Sequence, residues 1–376
     1  MSEFGRFFLP GPVEVHPEIL AAFQRPMISP WSDEARALLH GLQPGLRRLF
    51  RTREPVLLVA SSSTGLLEGA IRTAVPRRAL AVCSGYFGDR LAETLEACGR
   101  ETVRLHVPVG RTLEPDQLER FLGGPPVDAV LLVHSETSTG ALATLPELAR
   151  VVRERSDALV MVDAVSSIGA LPVETDAWGL DFVFTGSQKA LAMPPGLGLG
   201  VASRRLLDRA AGVPGRGWYL DLLRYERAAR TGQPTQTPAL SHLYALERQL
   251  ERIEDEGGVE GRWRRHAAML GLVERWVAAA PGWSLLADTG RRSAAVSALV
   301  PPAETSVAGV LRDMRARGFT LAGGLGSLAQ RVIRIGHMGD ATPAAVATML
   351  TALSDVAGGS CDGAHSEPLS RGYLGG

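Results

Sequence analysis

Between residues 56 and 202 the chain alternates short apolar runs with longer stretches whose apolar positions recur at helical spacing. The runs Val56–Ala60, Arg78–Cys83, Ala129–Val133, Ala158–Val162, Asp181–Thr185 and Leu197–Ala202 predict strands. The stretches Gly65–Ala74, Phe87–Cys98 and Leu145–Glu154 predict helices. Strands that are apolar throughout, rather than at every second position, must be covered on both faces. A parallel sheet flanked by helices meets that need. Such sheets bind ligands in the loops beyond the strand C-termini.

After residue 238 the pattern changes. A long helical segment, Ala239 to Ala280, is broken near Gly257-Gly258. Shorter units follow: strands Ala294–Val300 and Arg331–Ile335, helices Val307–Arg317 and Ala344–Val356. These predict a second, smaller α+β domain. The division expected is a large domain over 16–245, a small domain built from 1–15 and 246–357, and a loose, glycine- and serine-rich tail over 358–376.

Composition narrows the function classes. The formal net charge is zero and the arginines are spread along the chain, which gives no electrostatic case for a nucleic-acid or anionic-membrane partner. No apolar run reaches 18 residues and the N-terminus lacks a signal-peptide pattern, so the expected location is the cytoplasm. Cys83, Cys98 and Cys361 form no metal-type spacing, and no metal is expected. Of the 40 basic residues, Lys189 is the single lysine. Arginine replaces lysine at most solvated positions, but it cannot lose a proton and attack a carbonyl. A lone retained amine therefore points to covalent chemistry.

The neighbouring residues agree. Asp163 ends one apolar run, and the next run delivers Lys189 into the loop after it. An amine that can form an imine and a carboxylate that can keep a pyridine nitrogen protonated suit pyridoxal 5'-phosphate. Upstream, Ser61-Ser62-Ser63-Thr64-Gly65 follows a strand and opens a helix, which offers unpaired amides and hydroxyls to a phosphate. No nucleotide motif competes. Lys189 follows Gln188 rather than the glycine of a phosphate loop, and Gly196-Leu197-Gly198-Leu199-Gly200 precedes no suitable helix start.

Eight motifs in register carry a resemblance. They are Pro10-Gly11-Pro12; Ser62-Ser63-Thr64-Gly65; Gly85-Tyr86-Phe87-Gly88-Asp89-Arg90; His134-Ser135-Glu136-Thr137-Ser138-Thr139-Gly140; Val162-Asp163-Ala164-Val165-Ser166-Ser167; Gly186-Ser187-Gln188-Lys189-Ala190-Leu191; Gly323-Gly324-Leu325-Gly326; and Arg334-Ile335-Gly336. The chain resembles the class V aminotransferases of the alanine/serine–glyoxylate type, within fold type I of the pyridoxal-phosphate enzymes. The resemblance implies an α/β fold: a large domain with a mostly parallel seven-stranded sheet flanked by helices, plus a smaller C-terminal α+β domain. It implies that Lys189 carries the cofactor and shuttles a proton, and that Asp163 pairs with the ring nitrogen. Ser62, Ser63, Thr64 and Gln188 would line the phosphate cup, Phe87 and Val165 would cover the two ring faces, and Thr137 would stand near the ring hydroxyl. Gly11 would leave room for substrate, and Arg334 would bind the substrate carboxylate as a fork. A homodimer is implied, with a residue of Thr235-Gln236-Thr237-Pro238, taken as Thr237, reaching the partner's phosphate.

The chain departs from its relatives at two points that bear on function. Ser63 stands where many have glycine, and Pro30-Trp31 stands where many have a His-Arg pair near the substrate entrance. The reading that follows is a ping-pong aminotransferase using alanine or serine as donor and glyoxylate or pyruvate as acceptor. A 2-aminoethylphosphonate–pyruvate or pyridoxamine–pyruvate transaminase is the near alternative. A sulfur lyase or desulfurase is a further one, disfavoured because no cysteine stands in a mobile loop facing Lys189. A non-catalytic scaffold would have no chemical reason to keep the amine.

Overall fold

The computed structural model describes residues 5–359. Nine strands precede residue 203: β1 Leu57–Val59, β2 Arg78–Cys83, β3 Glu101–His106, β4 Ala129–Val133, the short pair β5 Ser135–Glu136 and β6 Ala141–Leu142, β7 Leu159–Asp163, β8 Phe182–Gly186 and β9 Gly198–Ala202. Seven of them form one sheet in the order β1-β9-β8-β7-β4-β2-β3. All neighbours run parallel except β9, which is antiparallel to both β8 and β1. The expected mostly parallel, seven-stranded sheet is therefore present.

The period-2 geometry of a strand divides each apolar run between two cores. Leu80, Val130, Val160 and Val183 enter one core with the helices Asp33–Phe50, Leu145–Arg155 and Leu240–Asp255. Ala79, Leu131, Met161 and Phe182 enter the other with the helices Ser63–Ala74 and Tyr86–Ala97. Each fully buried valine, leucine or phenylalanine contributes about 1.5–3 kcal/mol of transfer free energy. The long segment after residue 238 forms two helices, Leu240–Asp255 and Gly258–Ala279, with both Gly257 and Gly258 at positive φ at the break.

A second sheet, β10 Ser284–Leu285, β11 Val296–Val300, β12 Ala322–Gly323 and β13 Ile333–Gly336, is antiparallel in the order β10-β11-β13-β12. Its core joins Ile333 and Ile335 to Met269, Met314 and Leu353 from three helices, and to Phe8 from the N-terminal segment. Phe7 bridges Thr320, and the Gly336 amide donates to the Phe8 carbonyl at 2.8 Å. A Cβ on Gly336 would meet the Leu9 carbonyl oxygen at 2.2 Å, so only glycine lets the segment cross here. That crossing carries Pro10 and Gly11 toward the first sheet.

The last helix, Pro343–Gly359, includes the first two residues of the expected tail; residues 360–376, with Cys361, lie outside the described part. No helix among the described residues is long and apolar enough to cross a membrane.

Candidate active site

Lys189 follows β8 in a loop fixed by its own backbone bonds. The Ala192 amide donates to the Lys189 carbonyl at 2.8 Å and the Met193 amide to the Ser187 carbonyl at 3.0 Å. The Ser187 hydroxyl donates to the Pro194 carbonyl at 2.7 Å and accepts from the Leu197 amide at 3.3 Å. Ala192 is held in the left-handed region (φ 49°), a conformation that costs a residue with a Cβ about 1–2 kcal/mol. Strain of this kind gathers at functional loops.

The Lys189 side chain is buried, and its Nζ donates to the Pro10 carbonyl at 2.5 Å. A Cβ on Gly11 would lie 2.4 Å from Lys189 Cδ, so glycine is required where the N-terminal segment passes the amine. Burial pulls the amine down to about 8, and the Arg334 and Arg90 cations act in the same direction. Asp163 and Glu136 oppose them. A neutral amine is thus accessible near neutral pH, as a nucleophile or base requires.

Asp163 is the last residue of β7 and lies beside Phe184 of β8. Its Oδ1 accepts from the Val165 amide at 2.9 Å. Burial pushes its carboxyl up to about 6, partly offset by that amide.

The helix Ser63–Ala74 begins with Ser62 as its cap, the hydroxyl accepting from the Gly65 amide at 3.4 Å. The Ser63 and Thr64 amides and hydroxyls, and the Gln188 side chain, have no protein acceptor or donor among the described residues. Unpaired donors at a helix N-terminus are what a phosphate needs. Ser63 has no positive φ, so the absence of glycine there imposes no strain.

Gly11, Ser62, Ser63, Thr64, Phe87, Asp163, Val165, Gln188 and Lys189 line one cavity of about 310 Å³, within the size range of small-molecule sites. Lys189 Nζ lies 5.8 Å from the Phe87 ring centroid. Thr137 and Arg334 are not among the residues that line it. The Thr137 hydroxyl is 2.7 Å from that of Ser166, and the Thr137 carbonyl accepts from Arg334 Nη1 at 3.4 Å. Arg334 Nε donates to the Gly323 carbonyl at 2.8 Å. Arg334 is buried yet has no carboxylate in ion-pair range among the described residues, and burial lowers its pKa.

Thr237 does not join them. It is exposed and lines a separate apolar pocket with Leu39, Val56, Tyr225 and Leu243. Pro30 and Trp31 form a turn outside the cavity lining, with Pro30 half-buried and Trp31 exposed. Neither Cys83 nor Cys98 lines the cavity.

Two residues were missed as participants in the sequence. Glu136 is buried, and its carboxylate accepts from the Phe87 amide at 3.2 Å, the Gly88 amide at 3.1 Å, and the Ser138 amide and hydroxyl at 3.0 and 2.5 Å. It caps, from another part of the chain, the helix Tyr86–Ala97, whose own cap residue Gly85 offers no side chain. A Cβ on Gly85 would meet Ser138 Oγ at 2.6 Å and Glu136 Cδ at 2.7 Å. Arg90 also lines the cavity; its Nη2 donates to the Tyr86 hydroxyl at 3.1 Å. Glu136 partners lie 48 and 49 residues away, and Arg90 is one arginine among many, so neither left a local signal.

Comparison with known proteins identifies the family. The profile of the family Aminotransferase class-V matches residues 90–315. The chain is 30% identical to the serine–glyoxylate aminotransferase of Methylorubrum extorquens, over 89% of this chain and 86% of that protein. Its fold superposes on the aspartate aminotransferase of subgroup IV from Thermus thermophilus with a TM-score of 0.85 at 34% identity, covering 93% of this chain and 99% of that one. The alanine–glyoxylate aminotransferase of Nostoc sp. superposes with a TM-score of 0.89 at 28% identity, covering 95% of each. The chain belongs to the class V aminotransferases, whose fold is that of the pyridoxal-phosphate-dependent fold-type-I enzymes.

Proposed function

We propose that this aminotransferase binds pyridoxal 5'-phosphate and moves an amino group from alanine or serine to glyoxylate or pyruvate in a ping-pong cycle. The observation that carries this reading is the meeting of a buried amine depressed to about 8, a carboxylate and a set of unpaired phosphate donors around one cavity. When bound, the cofactor supplies an electron sink for a substrate carbanion. Lys189 Nζ would hold it covalently and, when free, would take the proton from the substrate Cα. Asp163 would pair with the ring nitrogen and keep it protonated. Ser62, Ser63, Thr64 and Gln188 would receive the phosphate, Phe87 and Val165 would cover the ring, and the Thr137 hydroxyl would serve the ring oxygen. Arg334 would bind the substrate carboxylate, with Gly11 leaving space beside it. The alanine–glyoxylate and serine–glyoxylate relatives support this choice of donors.

A division into two domains, with the N-terminal segment joining the second, is supported by the separate cores of the two sheets and by Phe8 lying in the second. Leu246, Leu250, Ile253 and Val259 pack in the core of the first sheet, so the boundary expected at 245 moves past residue 259. A cytoplasmic homodimer is the assembly proposed. Met27, Trp31, Trp218 and Tyr219 are large, exposed apolar residues, and the Tyr219 hydroxyl donates to the Ala60 carbonyl beside the phosphate cup. A second subunit seated there would bring its Thr237 to the phosphate.

A second reading has one observation in its favour. Arg90 is a second cation at the cavity with no carboxylate partner among the described residues, which suits a donor bearing a second acid group, aspartate or 2-aminoethylphosphonate.

The test is a half-reaction screen of the yellow, cofactor-loaded protein against alanine, serine, aspartate and 2-aminoethylphosphonate, following loss of the visible band. Conversion by alanine or serine is expected, and conversion by aspartate or the phosphonate alone selects the second reading. Lys189→Ala should abolish both the reducible covalent adduct and turnover. A wild type that binds no pyridoxal phosphate would sink the proposal.

A further inference from the structure

Outside the cavity, three side chains of metal-ligand type converge from three elements. Cys83 is the last residue of β2, His106 stands opposite it in register on β3, and Asp89 lies in the first turn of the helix Tyr86–Ala97. One ligand atom from each lies within 4.8 Å of the other two. The separations along the chain gave no sign of this, because strand pairing and the turn into the helix create the proximity.

The surroundings leave these groups available. Cys83 is buried, and its sulfur makes long contacts to carbonyl oxygens, 3.7 Å to Ala81 and 3.8 Å to Gly88, with Asp89 and Arg104 beside it. Arg104, whose Nη1 is 3.8 Å from Asp89 Oδ1, is held by two bonds to Glu96 at 3.1 and 3.0 Å. The guanidinium is thus held toward Glu96 while also acting on the Cys83 thiol, and a bound cation would displace it from the sulfur. The His106 side chain is exposed and has no hydrogen bond among the described residues, which leaves a path from solvent.

We propose that Cys83, Asp89 and His106 form a zinc site separate from the reaction centre, with water as the fourth ligand. Thiolate, imidazole and carboxylate are the donors zinc takes in tetrahedral sites, at about 2.0–2.3 Å, and a small closing movement from the present spacing brings them to that range. On binding, a Zn–S bond replaces the Cys83 S–H bond and the proton leaves to solvent; no oxidant or reductant is involved. The ion joins the ends of β2 and β3 to the helix that carries Phe87 and Arg90, so it stiffens one wall of the cavity from behind.

The test measures zinc affinity of the full-length, cofactor-loaded protein by competition with a chromophoric chelator. A C361S/H365A background removes the other nearby thiol–imidazole pair in the sequence. One zinc per chain is expected, with a higher unfolding temperature in its presence. C83S, D89N and H106A should each weaken binding by about 100-fold or more, since losing even a residue that only orients a metal ligand costs about 10–100-fold. C98S should leave it unchanged. H106A alters an exposed side chain, so its folding is not in question, and zinc binding that H106A leaves unchanged overturns the site. So does a background protein that binds no zinc.

Discussion

Two buried arginines of the C-terminal half have opposite surroundings. Arg262, in the helix Gly258–Ala279, is 1% exposed and its Nη2 donates to Asp340 at 2.6 Å and to the Ala190 carbonyl at 3.0 Å. Glu256 lies 3.6 Å from its Nη1. Arg334 is 7% exposed, yet among the described residues its acceptors are only the carbonyls of Gly323 and Thr137. A buried cation is stable when carboxylates of the same chain neutralise it. One left with carbonyl dipoles is poised for an anion from outside. Arg262 thus ties the helix to the Lys189 loop through Ala190, whereas Arg334 has the setting that the proposed carboxylate-binding role needs.

Breaking the first site should produce the largest effect, and on stability. Arg262→Met leaves Asp340 buried without its close partner, a loss of about 3–5 kcal/mol by analogy with other broken buried pairs. Urea unfolding of the Arg262→Met protein should show it, and the double variant with Asp340→Asn should recover much of the loss. Burial, the largest single influence, raises the Asp340 carboxyl, but the Arg262 cation, the Gln249 amide and the Arg252 cation together outweigh it, so the folded pKa is depressed. The pair's contribution is therefore present above the ordinary carboxylate range and disappears as pH falls through the folded value.

Breaking the second site should leave stability nearly intact and act on turnover. Arg334→Gln keeps hydrogen bonding to the two carbonyls but removes the fork that meets a carboxylate. A fall in kcat/KM of about 100-fold, roughly 3 kcal/mol, is expected from the usual cost of removing one partner of a desolvated charge pair. The urea midpoint should hardly move. An equal loss of stability in the two variants would erase the distinction.

How much of this was visible in the sequence depends on where each stabilising contact comes from. β2 and β4 were read to the residue, and β7, β8 and β9 to within one, because strands buried on both faces announce themselves as unbroken apolar runs. β3 was not seen: Glu101–His106 is an edge strand, half-buried along most of its length, and its polar residues hide the pattern. The helix Asp33–Phe50 was also missed; it carries Pro44 and a mixed polar surface. At the site, Lys189 was legible because the chain holds no other lysine, and Asp163 because it ends an apolar run. Glu136 was not, since its function as a cap for Phe87 and Gly88 exists only after β4 and β2 are paired.

The smallest effect is the most discriminating, and it uses the single lysine. In protein stripped of cofactor, attachment of pyridoxal phosphate requires the neutral Lys189 amine. Its rate should rise about tenfold per pH unit below a midpoint near 8 and level off above it. Charges around Nζ should move that midpoint with opposite signs. Asp163 and Glu136 favour the ammonium form, so Asp163→Asn and Glu136→Gln should each shift it downward. Arg334 disfavours the ammonium form, so Arg334→Gln should shift it upward. Arg262, although equally buried, is not among the charges felt by the amine, and Arg262→Met should leave the midpoint in place if the Ala190 contact is only mechanical. A midpoint that moves with Arg262 and not with Arg334 would reverse the assignment of the two arginines.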